Sequence, residues 1–223
     1  MIIHSSFFTI FAETFTMFTS YSKYLDQAIN EIAKLPGIGK RTALRLALHI
    51  NKLEDDDARI LSESILNLKT KIVKCSVCHN ISDDAICEIC RQPKRNTQTI
   101  CVVQDIRDLI AIENTAQYSG LYHVLGGVIS PMDGIGPAQL SLSEFFKRID
   151  SEEVEEVILA LPATVEGDTT NFYIYKNIKD KVRKITTLAR GVGIGEELEY
   201  ADEVTLGRSL HTRTDFEMQY QKR

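Results

Sequence analysis

The amino-acid sequence predicts a multi-domain α/β protein, and three observations lead there. From Tyr24 to Ile72 the apolar residues recur at helical spacing, broken by one glycine-rich turn. Four of the five cysteines then fall between Cys75 and Cys90. Beyond them, short apolar runs alternate with helical stretches as far as Leu188, the pattern of a parallel sheet with helices on both faces. These changes of pattern divide the chain. Residues 1–16 read as an extension outside the fold and 17–72 as a helical hairpin domain. Residues 73–97 form a cysteine knuckle, 98–190 an α/β domain and 191–223 a short C-terminal segment and tail.

Taken in order, the extension holds Phe7, Phe8, Phe11 and Phe15 among Ser and Thr, upstream of a second potential start at Met17. It lacks the basic start and small-residue cleavage site of a signal peptide. No apolar run approaches the ~18 to 20 residues of a membrane span. The hydrophobic fraction of 43% is ordinary for a globular protein. The formal net charge is -5, so binding to a polyanion would need a locally basic face.

Such a face exists in the hairpin domain. Leu25, Ala28, Ile29 and Ile32 predict one helix, and Ala43, Leu44, Ala47 and Leu48 predict a second beginning near Lys40. Between them stands Leu35-Pro36-Gly37-Ile38-Gly39, giving the layout of a helix-hairpin-helix motif. Gly37 and Gly39 permit a tight turn whose N–H groups can approach a phosphate. The second helix points its positive end at the same place, and Lys40, Arg41 and Arg45 surround it. Between Met17 and Lys52 six Lys and Arg face two acids, Asp26 and Glu31. The pattern predicts DNA binding that reads backbone and not sequence. A plain helical hairpin, with glycine for geometry alone, is the competing reading. Glu54 to Asp57 then open a third helix, whose stripe of Ala58, Leu61, Ile65, Leu68 and Ile72 is expected to be core.

The knuckle is Cys75-Ser-Val-Cys78 followed by Cys87-Glu-Ile-Cys90. Two intervening residues let a turn aim both sulfurs at one point. Two such turns supply four thiolates, enough to close a structural Zn²⁺ site, one per chain. Two disulfides or four reduced thiols are the alternatives, and His79 is a neighbour able to replace a sulfur. Metal-bound thiolates suit the cytosol. Arg91, Lys94 and Arg95 are expected to give the knuckle positive charge. Cys101, in an apolar run, reads as a buried small hydrophobe.

In the α/β domain the expected strands are Ile100–Val103, Tyr122–Leu125, Val157–Ala160 and Lys184–Leu188. Helices are expected at Asp105–Thr115, at Ser143–Ile149 and from Glu166 through Ile178. Ser130 to Pro137 reads as an irregular loop. The working surface of such a sheet lies beyond the carboxyl ends of its strands, at Gln104, the Ser130 loop and Pro162 to Asp168. His123 is expected to be a satisfied core or edge histidine. Tyr173, Tyr175 and Tyr200 are expected to pack.

Hairpin, four-cysteine knuckle and α/β domain, in this order, resemble the RecR family of bacterial recombination mediators. The similarity runs from about Met17 to about Arg213. It rests on L-P-G-I-G at 35–39, the four cysteines, S-P-M-D-G-I-G-P at 130–137, T-V-E-G at 164–167 and L-E-Y-A-D at 198–202. The α/β part is similar to Toprim domains. The resemblance implies a cytoplasmic, nucleoid-associated protein forming a tetrameric ring that can encircle DNA, with subunit contacts from the hairpin domain and the C-terminal segment. It implies action with RecO and RecF in loading RecA onto single strands. It makes Lys40, Arg41 and Arg45 the DNA-contacting positions, and Asp108 and Glu166 the partner-contacting ones. The Gly193-Ile194-Gly195-Glu196 stretch departs from the family pattern.

A Toprim resemblance also raises an alternative, a Mg²⁺-dependent nuclease or strand-passage enzyme. Catalytic Toprim domains use a Glu after the first strand and an Asp-x-Asp after the third. Here those places hold Gln104, Pro162 and Thr164. An amide cannot trade a proton near neutral pH, and neither Pro162 nor Thr164 offers a carboxylate to Mg²⁺. Glu166 and Asp168 remain as a thin candidate for a weak cation site. The expectation is therefore a non-enzymatic DNA-binding adaptor.

Overall fold

A computed structural model describes residues 22–193, 195 and 197–213. The aromatic extension, the residues from Thr214 onward, Ile194 and Glu196 lie outside the described residues. The chain falls into two units, Met1–Thr70 and Lys71–Arg223.

The first unit contains α1 (Lys23–Ile32), α2 (Lys40–Ile50) and α3 (Asp55–Thr70). The Ser22 hydroxyl caps α1 by accepting from the Leu25 N–H at 3.4 Å. Ile29 packs on Ala43 and Ala47, whose small side chains let the two helices approach. Gly37 takes the left-handed conformation, φ 77°, that an L side chain resists. Asp55, Asp56 and Asp57 occupy the first turn of α3, where negative charge suits the helix dipole. One expectation fails here. No residue of α3 is buried, and Ile65 and Leu68 are more than half exposed. Helical periodicity identifies an apolar face but cannot supply what covers it. Within this unit α1 and α2 have already buried one another.

The second unit begins with the knuckle, built from β1 (Val73–Lys74), β2 (Ile81–Ser82) and the short α4 (Glu88–Arg91). The sheet follows: β3 (Asn96–Val103), α5 (Ile106–Asn114), β4 (Gly120–Val124), α6 (Leu142–Ser151), β5 (Glu156–Ala160), α7 (Val165–Ile178) and β6 (Lys184–Thr187). A last helix, α8 (Glu203–His211), lies in the C-terminal segment. The strands of this sheet are all parallel, in the order β4-β3-β5-β6. Ile100 and Val102 face a large core completed by Phe145 and Ile149 of α6 and Ile174 and Ile178 of α7. Cys101 and Val103 point the other way, onto Leu109 of α5 and Tyr122. Alternation along β3 thus fills both faces, as a buried parallel strand requires. Cys101 is buried as expected, and burial pushes its thiol up to about 12.

The Ser130 loop is more ordered than its composition suggests. Ser130 and Ile135 bond each other's backbone, and 3-10 turns run at Pro131–Asp133 and Pro137–Gln139. Asp105 and Asp108 form a capping box on α5. Thr164 caps α7, its hydroxyl accepting from the Gly167 N–H at 3.1 Å. This turn is tight enough that a Cβ on Gly167 would overlap the Pro162 carbonyl. Gly167→Ala should therefore destabilise the second unit by about 1–3 kcal/mol. A thermal or urea melt of the variant checks this; an unchanged midpoint would mean that the turn can open.

Candidate metal centre and nucleic-acid interface

The Sγ atoms of Cys75, Cys78, Cys87 and Cys90 all lie within 4.8 Å of one another, and those of Cys78 and Cys87 are 3.5 Å apart. A tetrahedral Zn²⁺ with Zn–S of about 2.3 Å requires sulfurs about 3.8 Å apart. All four cysteines are free, so the knuckle is not a pair of disulfides. Three are buried, and Cys90 is partly so. His79 sits in the left-handed region, φ 61°, and is not among the clustered ligands. The donor set fits a closed structural zinc site with no position left for substrate.

The thiols show why a cation belongs here. Burial opposes ionisation of Cys75, but the N–H groups of Cys78, Cys87 and Val77 outweigh it and hold the thiol at about 7. Cys87 is pushed up to about 11, chiefly by burial. Cys78 is raised further still, by its hydrogen bond with Cys90 and then by burial. Four thiolates cannot share this space unaided, whereas a divalent cation stabilises all of them.

The knuckle is fastened to the sheet along the outer edge of β4. The Val124 N–H donates to the Cys78 carbonyl at 2.8 Å. Tyr122 O accepts from Arg148 Nη1 at 2.8 Å, Gly120 O from Arg95 Nη1 at 3.1 Å and Val124 O from Ser141 Oγ at 2.6 Å. An edge strand that would otherwise invite pairing is thereby closed. The His79 ring lies 5.3 Å from that of His123, which is fully buried against Phe145. Burial holds the His123 imidazole neutral, its pKa lowered to about 3, and its Nε2 lies 2.9 Å from Ser141 O.

The expected positive charge of the knuckle is largely spent. Arg91 pairs with Asp84 at 2.8 Å. Arg95 pairs with Glu113, which also accepts from the Tyr122 hydroxyl at 2.7 Å. The Arg95 guanidinium holds the Glu113 carboxyl below its ordinary range. Asp84 lies within the knuckle, seven residues from Arg91, whereas Glu113 is eighteen residues from Arg95 and belongs to α5, beyond the reach of local charge counting.

In the hairpin, Lys40, Arg41 and Arg45 are all exposed. Arg41 and Arg45 have no acidic partner among the described residues. Gly39 is the N-cap of α2 and offers no side-chain hydrogen bond to the helix. The helix start is thus open to an external acceptor. The two glycines differ. Gly37 is explained by its left-handed backbone. Gly39 has an ordinary φ of -80°, and a Cβ there would meet nothing within 4 Å. Geometry within the chain does not require glycine at 39; close approach by something outside it would.

At the carboxyl ends of the strands the carboxylates do not converge. Among the described residues, the four cysteines are the one group of three or more His, Cys, Asp or Glu with clustered ligand atoms. Gln104 follows β3, and its carbonyl accepts from the Gly126 N–H at 2.8 Å. Asp108 uses a carboxylate oxygen on the Asp105 N–H at 3.2 Å. Asp168 pairs with Arg190 at 2.6 Å, which lowers its pKa and gives it a counter-ion already. Glu166 is half-buried in the first turn of α7.

Four family models match the chain in this order: the RecR helix-hairpin-helix at residues 25–69, the RecR four-cysteine zinc-finger domain at 72–91, the Toprim domain at 98–189 and the RecR C-terminal region at 191–214. Recombination protein RecR of Flavobacterium johnsoniae is 57% identical over 196 residues, covering 88% of this chain and 95% of that protein. Recombination protein RecR of Cytophaga hutchinsonii is 54% identical over 197 residues, covering 88% and 96%. That of Porphyromonas gingivalis is 52% identical over 195 residues, covering 87% and 94%.

The chain belongs to the RecR family. Its zinc centre is therefore the family's four-cysteine finger, held by Cys75, Cys78, Cys87 and Cys90, and its sheet is a Toprim domain. No helix among the described residues of this RecR family member is long and apolar enough to cross a membrane. The purified protein should carry one zinc per chain. Removing it with a strong chelator should lower the melting temperature, because at such sites metal-binding energy is folding energy. It should also speed hydrogen exchange at the Val124 amide, read by NMR or mass spectrometry. Unchanged melting and exchange after zinc loss would mean that the metal does not support the fold.

Proposed function

We propose that this protein is a non-enzymatic, sequence-independent DNA clamp and adaptor in recombinational repair. The observation that carries the reading is the open N-terminus of α2 beside exposed Lys40, Arg41 and Arg45. Backbone N–H groups from Gly39 onward receive a phosphate oxygen, and the three cations neutralise its neighbours. Gly37 holds the turn, and Gly39 lets the strand come close. One hairpin reaches only a few phosphates, so a single chain binds weakly. Several hairpins around one DNA raise the affinity through effective concentration, and a tetrameric ring of this chain fits that need. The uncovered α3 stripe and the C-terminal segment with α8 are the surfaces that join the copies.

The Toprim domain serves as a docking module in this reading. Glu166 and Asp108 mark the face offered to RecO or RecF, through which RecA is loaded onto single strands. The protein works in the bacterial cytoplasm at the nucleoid. Chemistry is not its task. The base position is Gln104, the Asp-x-Asp positions are Pro162 and Thr164, and Asp168 is engaged by Arg190. The Toprim match alone favours the second reading, a Mg²⁺-dependent nuclease or strand-passage enzyme.

Two experiments separate these readings. Arg41→Glu combined with Arg45→Glu should weaken DNA binding equally for all sequences and reduce the salt slope by about 2. Zinc content should not change. Undiminished affinity would show that the hairpin is not the contact. Incubating pure protein with labelled DNA and Mg²⁺ should leave the DNA intact; cleavage that follows the protein through purification would establish the enzyme.

A further inference from the structure

Helix α7 has two different faces. Gly167, Thr170, Asn171, Ile174 and Ile178 are buried. On the other side Phe172 is 60% exposed and Tyr175 is 46% exposed. Lys176 and Lys179 are exposed beside them. Positions 172, 175, 176 and 179 are three, four and seven residues apart, so they share one helix surface. Arg183 follows just beyond the helix and is also exposed. Tyr173, by contrast, packs on Phe146 as expected of it.

Charge around this face runs against the chain as a whole. From Phe172 to Lys184 there are five basic residues, Lys176, Lys179, Lys181, Arg183 and Lys184, and one acid, Asp180. Lys181 and Lys184 are neutralised by Asp150 and Glu156. Lys176, Lys179 and Arg183 have no acidic partner among the described residues. The Lys176 ammonium lies 5.4 Å from the centroid of the Phe172 ring, so cation and aromatic face are already side by side.

The two features select a ligand together. Unpaired cations call for a polyanion. Wet aromatic rings call for planar apolar faces to stack against. An acidic peptide would satisfy the lysines and leave the rings bare, and a duplex keeps its base faces hidden in its own stack. A single strand presents both phosphates and open bases. We propose that the outer face of α7 is a second nucleic-acid contact, where Phe172 and Tyr175 stack unpaired bases and Lys176, Lys179 and Arg183 hold the adjoining phosphates. The inference rests on the reading that this chain binds DNA. It adds a preference for single strands, which a phosphate-gripping hairpin cannot supply.

The chain contains no tryptophan, so Phe172→Trp installs a unique fluorophore at the site. Titrating the full-length variant with oligo(dT) should quench its emission, saturating together with binding followed by anisotropy of a labelled strand. A duplex should bind without comparable quenching. Phe172→Ala with Tyr175→Ala should lower single-strand affinity about tenfold or more and leave duplex affinity and zinc content unchanged. Single-strand binding without quenching, or equal losses on single and double strands, would overturn the α7 contact and leave the hairpin reading standing. If the unaltered protein binds neither form, both readings fall. Quenching that survives Arg41→Glu with Arg45→Glu would support α7 independently of the hairpin.

Discussion

Four sulfurs packed within 4.8 Å are the constraint on which the second unit depends. Burial and contact with neighbouring sulfurs oppose ionisation of Cys78 and Cys87, so without a cation the cluster does not hold four thiolates. With zinc the same crowding becomes a closed tetrahedron. The consequence travels beyond the knuckle, because the Cys78 carbonyl is the acceptor for the Val124 amide. Arg95, Arg148 and Ser141 donate to the outward carbonyls of Gly120, Tyr122 and Val124 on β4. A small metal site therefore helps to close the edge of a sheet whose core lies elsewhere.

The proposed adaptor role separates duties that catalytic Toprim proteins combine. In this sheet the positions that would hold a catalytic base and a metal pair carry an amide, a pyrrolidine ring and a hydroxyl. Asp108 and Asp168, which remain nearby, are already engaged in capping and pairing. Positive charge sits instead at a helix start in the first unit and along α7 in the second. In the proposed reading an acidic chain meets a polyanion at these two local surfaces without being basic as a whole.

Much of this was legible from residue spacing. The C-x-x-C pairs announced their common target, and L-P-G-I-G marked the turn between α1 and α2. The run Ile100 to Val103 named the central strand, since only a residue pattern apolar on both faces suits a parallel sheet. What escaped was decided mainly by partners far apart in sequence. Arg95 reads as knuckle charge until Glu113 is seen beside it. Ile65 and Leu68 read as core, yet nothing within the first unit covers them. Tyr175 and Tyr200 read as packing residues and stand in solvent, because an aromatic at helical spacing does not reveal which face is occupied. Helix α8 was missed because its apolar residues are few and its start depends on a local cap, Asp202 accepting from the Thr205 N–H at 2.9 Å.

X-ray absorption at the zinc edge on the intact protein reads the metal's ligand shell itself. One zinc surrounded by four sulfurs at about 2.3 Å is the expected result. A shell containing nitrogen from His79, oxygen, or fewer than four sulfurs would contradict it.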